Sequence, residues 1–102
     1  METVRVHVYM EGRVQGVFYR DWTRNSAKEL GLTGWVKNLE DGRVEAIFEG
    51  EKGKVKKMLE YCKKGSKLAS VEHMDIIWEK ATRRRQGYDG QAGEFEGFAI
   101  IR

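Results

Sequence analysis

The 102-residue chain has no proline, one cysteine and no uninterrupted apolar run longer than the four residues Phe98 to Ile101. Each shortage excludes something. One cysteine, Cys62, cannot close an internal disulfide, and no Cys pair or Cys/His cluster is available for structural zinc. A run of four falls far short of the ~20 apolar residues that a spanning helix needs, so no membrane span is expected. The start, Met1-Glu2-Thr3-Val4-Arg5, has no basic segment leading into an apolar stretch and does not read as a secretion signal. A lone cysteine without such a signal points to the cytoplasm. Nor does either sign of charge dominate. The 19 Lys and Arg against 16 Asp and Glu leave a net +3. That excess favours anionic partners, from small phosphates to nucleic acid, without choosing between them.

What is present describes a globular chain. Hydrophobic residues make up 40% and charged residues 34%, which argues against disorder, and the length predicts one domain over residues 1–102. Val4 to Met10 alternates with period two and is rich in β-branched residues. It predicts a strand with Val4, Val6, Val8 and Met10 facing the core. Glu11 to Val17 is too glycine-rich for a strand interior and predicts a loop. From about Asp21 to Leu30 the pattern is helical, with Trp22, Ala27 and Leu30 on one face and Gly31 as a left-handed stop. Leu32 to Asn38 predicts a second strand and Asp41-Gly42 a hairpin turn. A third strand carries Val44, Ala46 and Phe48 on one face. Glu51 to Lys64 predicts a second helix, because Val55, Met58, Leu59 and Cys62 fall at i, i+3, i+4 and i+7. Val71 to Trp78 and Phe95 to Ile101 predict the last two strands, separated by the polar loop Arg83 to Ala92. The order β-α-β-β-α-β, plus a terminal strand, implies an α+β split βαβ sandwich. Its antiparallel sheet of four to five strands would carry two helices on one face.

Two places could carry chemistry. Gly12-Arg13-Val14-Gln15-Gly16-Val17-Phe18-Tyr19-Arg20 joins a strand to a helix start. Such a loop can turn backbone N–H groups inward where the helix dipole adds partial positive charge, which makes an anion cradle. It is not a P-loop, since no Gly-Lys-Ser/Thr follows, and flexible glycines in a plain connection would look the same. Arg20 in a first helical turn opposes the macrodipole by about 0.3–1 kcal/mol. The placement makes sense when an anion lies between guanidinium and helix end, and a planar fork of donors grips phosphate in two-pronged fashion. A solvated surface arginine is the competing reading. Asn38, just before the turn, offers donor and acceptor and could fix a water. It could equally be a turn-initiating asparagine.

The other candidates are poorer. His7 and His73 are singletons without a partner at ligand spacing and read as structural or exposed. Cys62 lies on an apolar helix stripe and reads as core. The serines lack a nucleophile-elbow context, and the carboxylates near the turn form no acid–base couple. The helix lysines and the Arg83–Arg85 run read as solvated. A nucleic-acid binding module is the competing class, but no Lys/Arg-Gly-Phe/Tyr-Gly/Ala-Phe segment is present, so such a partner is not expected.

The two candidate places together resemble the acylphosphatase family. Gly12 to Arg20 is similar to that family's phosphate-binding signature, with an aromatic residue before the arginine. Gly34-Trp35-Val36-Lys37-Asn38 followed by Asp41-Gly42-Arg43-Val44-Glu45 resembles its second signature. The likeness resumes at Gly93-Glu94-Phe95-Glu96-Gly97-Phe98. The resemblance implies a ferredoxin-like fold and hydrolysis of a carboxyl–phosphate anhydride to carboxylate and inorganic phosphate, with no metal and no cofactor. It makes Arg20 the phosphate-binding arginine and Asn38 the residue that orients the attacking water. The amides of Gln15, Gly16, Val17, Phe18 and Tyr19 would surround the phosphate oxygens. The expected ligands are a small acyl phosphate and, as competing anions, inorganic phosphate or sulfate, and a monomer is expected. The Arg83–Ala92 connection looks longer than the family's usual one and leaves both signatures intact.

Overall fold

The computed structural model describes residues 2–80 and 97–101. Seven elements follow one another: β1 (Thr3–Arg13), α1 (Tyr19–Glu29), β2 (Thr33–Asn38), β3 (Val44–Glu51), α2 (Lys52–Lys64), β4 (Ser70–Glu79) and β5 (Phe98–Ile101). The strands form one sheet in the order β4-β1-β3-β2-β5. β1 runs antiparallel to β3 and β4, and β2 antiparallel to β3. β5 lies parallel to β2, so the sheet is mixed and the antiparallel expectation holds for the other three pairings. Each helix connects two strands with a third inserted between them, the ferredoxin-like split βαβ arrangement. The predicted Arg83–Ala92 loop and the first two residues of the predicted last strand lie outside the described residues.

Period-two alternation builds one face of this sheet. Val4, Val6, Val8 and Met10 of β1 and Val44, Ala46 and Phe48 of β3 are buried as predicted, with Val36 of β2 beside them. Both helices cover that face: Tyr19, Thr23 and Ala27 of α1 and Val55, Met58 and Cys62 of α2 are buried against it. Phe48 stacks on Phe98 of β5 with ring centroids 5.4 Å apart. The Tyr19 hydroxyl donates to the Cys62 carbonyl at 2.8 Å, which ties the first turn of α1 to the last turn of α2.

Two boundaries and one burial pattern stand out as different from the sequence reading. β1 runs on to Arg13, three residues further, because a register shift against β4 at Glu11/Gly12 accommodates the glycine within the ladder. α1 begins at Tyr19 rather than Asp21. Its N-cap is Phe18, which has no capping oxygen, so the usual Ser/Thr/Asp/Asn start signal is missing. β4 shows little burial although Met74, Ile76 and Trp78 alternate. As the outermost strand it keeps Ile76 and Trp78 exposed.

Candidate active site

The cradle grows out of β1. Val14 is buried, and its N–H donates to the Gly12 carbonyl at 3.0 Å, which turns the chain out of the strand. Gly16 at φ +75° reverses it. Phe18 then adopts φ 61°, ψ 24° as the N-cap of α1. The first helical bond is Trp22 N–H to the Phe18 carbonyl at 3.1 Å. The N–H groups of Tyr19, Arg20 and Asp21 therefore have no acceptor within the helix. Val14, Gly16, Phe18, Tyr19, Arg20, Asp21 and Ile100 line a cavity of about 330 Å³ beside these donors. Unpaired first-turn amides and the positive end of the helix dipole make such a place favourable for an anion.

Arg20 lines that cavity and, among the described residues, forms no salt bridge. The neighbouring Asp21 carboxylate is engaged by Arg24 at 3.3 Å, one helical turn on. Tyr19 shares the lining. Its ring is buried and its hydroxyl is spent on Cys62, and burial pushes that phenol far above its ordinary titration range.

Asn38 ends β2, paired with Val44 of β3. Its Oδ1 is buried and, among the described residues, accepts no hydrogen bond. It is not among the residues lining the 330 Å³ cavity. The turn that follows is tightly closed. Leu39 N–H donates to the Arg43 carbonyl at 2.8 Å, and Gly42 N–H to the Leu39 carbonyl at 3.2 Å. Arg43 N–H donates to Asp41 Oδ1 at 3.1 Å, and its Nε meets Oδ2 at 2.8 Å. These contacts hold the Asp41 carboxyl below the usual carboxylate range, the Arg43 amide first among them.

What joins the two segments is Gln15. The Nε2 donates to the Leu39 carbonyl and to the Arg43 carbonyl, both at 2.8 Å. One side-chain amide thus clips the cradle to both ends of the turn after Asn38. The sequence reading gave Gln15 only a backbone role. The clip was not legible, because its acceptors are main-chain carbonyls 24 and 28 positions away.

Gly34 has a structural reason to be where it is. At φ +137° a Cβ there would lie 1.9 Å from the Ile47 carbonyl oxygen. Glycine lets β2 and β3 approach, and that approach places Asn38.

The histidines are not singletons in space. His7 Nε2 lies 2.6 Å from Glu45 and Nδ1 3.6 Å from Glu79. His73 Nε2 lies 2.9 Å from Asp75, and these two with Glu11 form a surface group whose ligand atoms are within 4.8 Å of one another. Neighbouring strands supply the partners of His7 and bring Glu11 beside His73, whereas Asp75 lies two residues along the same strand from His73. All belong to the sheet face turned away from the helices.

Comparison with known proteins adds the following. The acylphosphatase family profile matches residues 6–90. An acylphosphatase of Roseiflexus sp. (strain RS-1) is 52% identical over 101 residues, spanning 99% of this chain and 98% of that one. The crystal structure of acylphosphatase from Bacillus subtilis matches with a TM-score of 0.81 at 29% identity, over 97% of this chain and 99% of the other. An acylphosphatase structure from Coxiella burnetii gives a TM-score of 0.77 at 33% identity, over 97% and 93%.

Proposed function

Since the chain belongs to the acylphosphatase family and is a hydrolase of that family, we propose that the cradle and Asn38 carry its reaction, hydrolysis of an acyl phosphate to a carboxylate and inorganic phosphate. In the proposed step, the phosphate group lies against Arg20 and the amides of Gln15, Gly16, Val17, Phe18 and Tyr19. A water held by the Asn38 amide attacks phosphorus in line. The new P–O bond forms as the bond to the acyl oxygen breaks, the carboxylate leaves with the electron pair, and the water's proton passes to phosphate or solvent.

The chemistry suits these residues. A carboxylate leaves without strong protonation, so no general acid is demanded of the protein. The work left is to replace the water around a charged phosphate and to align a nucleophile, which is positioning and electrostatic stabilisation. Fixed amides and a guanidinium do the first, and a clipped turn carrying Asn38 does the second.

The observation that carries this reading is the Gln15 clip, because it ties the loop proposed to hold phosphate to the turn that follows Asn38. On the sheet face away from the helices Tyr9 and Trp35 flank His7, with Arg43 and Lys37 over those rings and Glu45 and Glu79 beside the imidazole, a face of mixed charge that does not single out a nucleic acid.

The test is Arg20→Ala. Removing a preorganised donor should lower kcat for benzoyl phosphate by about 10²–10³. The circular dichroism spectrum should not change. A folded variant with near-native turnover would overturn the assignment.

A further inference from the structure

The cavity beside the cradle has a chemically mixed lining. Arg20 and the start of α1 contribute charge and polar groups, and Phe18, Val14 and Ile100 contribute apolar side chains. Phe18 stands out. Among the described residues it alone, glycines apart, has a positive φ. A left-handed phenylalanine is strained, and the residue is 73% exposed, so burial offsets little of that strain. The conformation does not serve helix capping through the side chain either. The backbone conformation starts α1, and it also leaves an exposed aromatic side chain among the residues that line the cavity. Ile100 adds an apolar residue to the lining from another element, fixed by its parallel pairing with Val36. Asp21 also lines the cavity, so a second negative charge on a ligand would meet a carboxylate there.

Resting on the acyl phosphate reading above, we infer that Phe18 and Ile100 form the acyl-group subsite and that Phe18 sets its specificity. The enzyme takes acyl phosphates with an uncharged, apolar acyl group, an aromatic one best, and disfavours those carrying a second anionic group. A flat acyl group can lie offset on the Phe18 ring while its phosphate reaches Arg20.

The experiment compares the wild type with Phe18→Ala and Phe18→Tyr. It measures kcat/KM for benzoyl, acetyl and succinyl phosphate. It also measures Kd by calorimetry for phenacylphosphonate and acetonylphosphonate, which replace the labile oxygen by a methylene. Phe18→Ala should lower the benzoyl-to-acetyl ratio about 5- to 10-fold, the effect of an aromatic contact of ~1–1.4 kcal/mol. The ratio of phosphonate affinities should fall in parallel. Phe18→Tyr keeps the ring and should keep both ratios. Relief of backbone strain acts on both acyl groups and cancels in the ratio. Unchanged ratios in Phe18→Ala overturn the inference, as does wild-type turnover of succinyl phosphate equal to that of benzoyl phosphate. Ring-dependent phosphonate binding without hydrolysis of any acyl phosphate would keep the subsite and sink the hydrolytic reading. Absence of phosphonate binding would sink both.

Discussion

Gln15→Ala separates positioning from binding. The side chain contributes two hydrogen bonds of 2.8 Å from a half-buried amide to main-chain carbonyls. At about 0.5–1.5 kcal/mol each, their loss costs about 1–3 kcal/mol. The lower part of that range applies, because neither carbonyl is orphaned: Leu39 still accepts from Gly42 and Arg43 from Leu39. Domains of this size have about 5–15 kcal/mol in hand, so the variant folds. What it loses is the fixed distance between the cradle and the turn after Asn38. A displacement of about 1 Å between reacting groups can cost 10²-fold in rate. The expected result is a fall in kcat of about 10- to 100-fold for benzoyl phosphate. Competitive inhibition by inorganic phosphate should change less than threefold, since Arg20 and the helix-end amides stay where they are. Gln15→Glu sharpens the test. It is isosteric, but at neutral pH it presents carboxylate oxygens to two carbonyls, so it should do at least as badly as alanine. A Gln15→Ala variant with kcat within twofold of wild type would refute the reasoning. So would one in which kcat holds and phosphate inhibition collapses, because Gln15 would then belong to binding.

Asn38→Ala should lower kcat for benzoyl phosphate by more than tenfold while inhibition by phosphate is retained. Equal losses in both would place Asn38 in the phosphate site instead. Gly34→Ala should destabilise the fold by more than 3 kcal/mol in urea unfolding, because its methyl would meet a backbone oxygen at 1.9 Å and φ +137° strains any L side chain. A variant within 1 kcal/mol of wild type would show that the strands can part freely. Burial pushes the Cys62 thiol from 9.0 up to about 12. A folded value above the unfolded one means that the stabilisation is complete below pH 9 and is lost as pH rises toward 12. Cys62→Ala should therefore flatten the fall of unfolding free energy between pH 9 and 11 by about 1.4 kcal/mol per pH unit, and an unchanged slope would count against it.

The fold was legible where periodicity is strong. The valines of β1 and the Val55/Met58/Cys62 stripe of α2 announce their faces, because one side of each must leave water. The start of α1 was not, since Phe18 caps it by backbone conformation alone. The exposure of β4 was not either, because alternation reports two faces and says nothing about whether another layer covers one of them. In the candidate site, Arg20 and the glycine loop could be picked out from residue type and order. Gln15 could not. An amide side chain looks alike whether it clips two carbonyls or points into solvent, and only the hairpin that brings the turn back beside β1 decides. The histidines show the same limit, since Glu45 reaches His7 across a strand pairing.

The most strongly shifted groups of this chain mislead if taken as markers of catalysis. Perturbed titration often flags an active site, and Tyr19 sits next to Arg20 in sequence. Yet its hydroxyl is spent on the bond with the Cys62 carbonyl, and burial is the first cause of the shift in both Tyr19 and Cys62. They fasten α1 to α2 and so fix the direction in which the first-turn amides face. For the proposed reaction that is the more useful contribution. With a carboxylate as leaving group, the barrier lies in holding a charged phosphate and a water at a set distance, and rigidity behind the helix start serves that end better than a proton donor inside the cavity would.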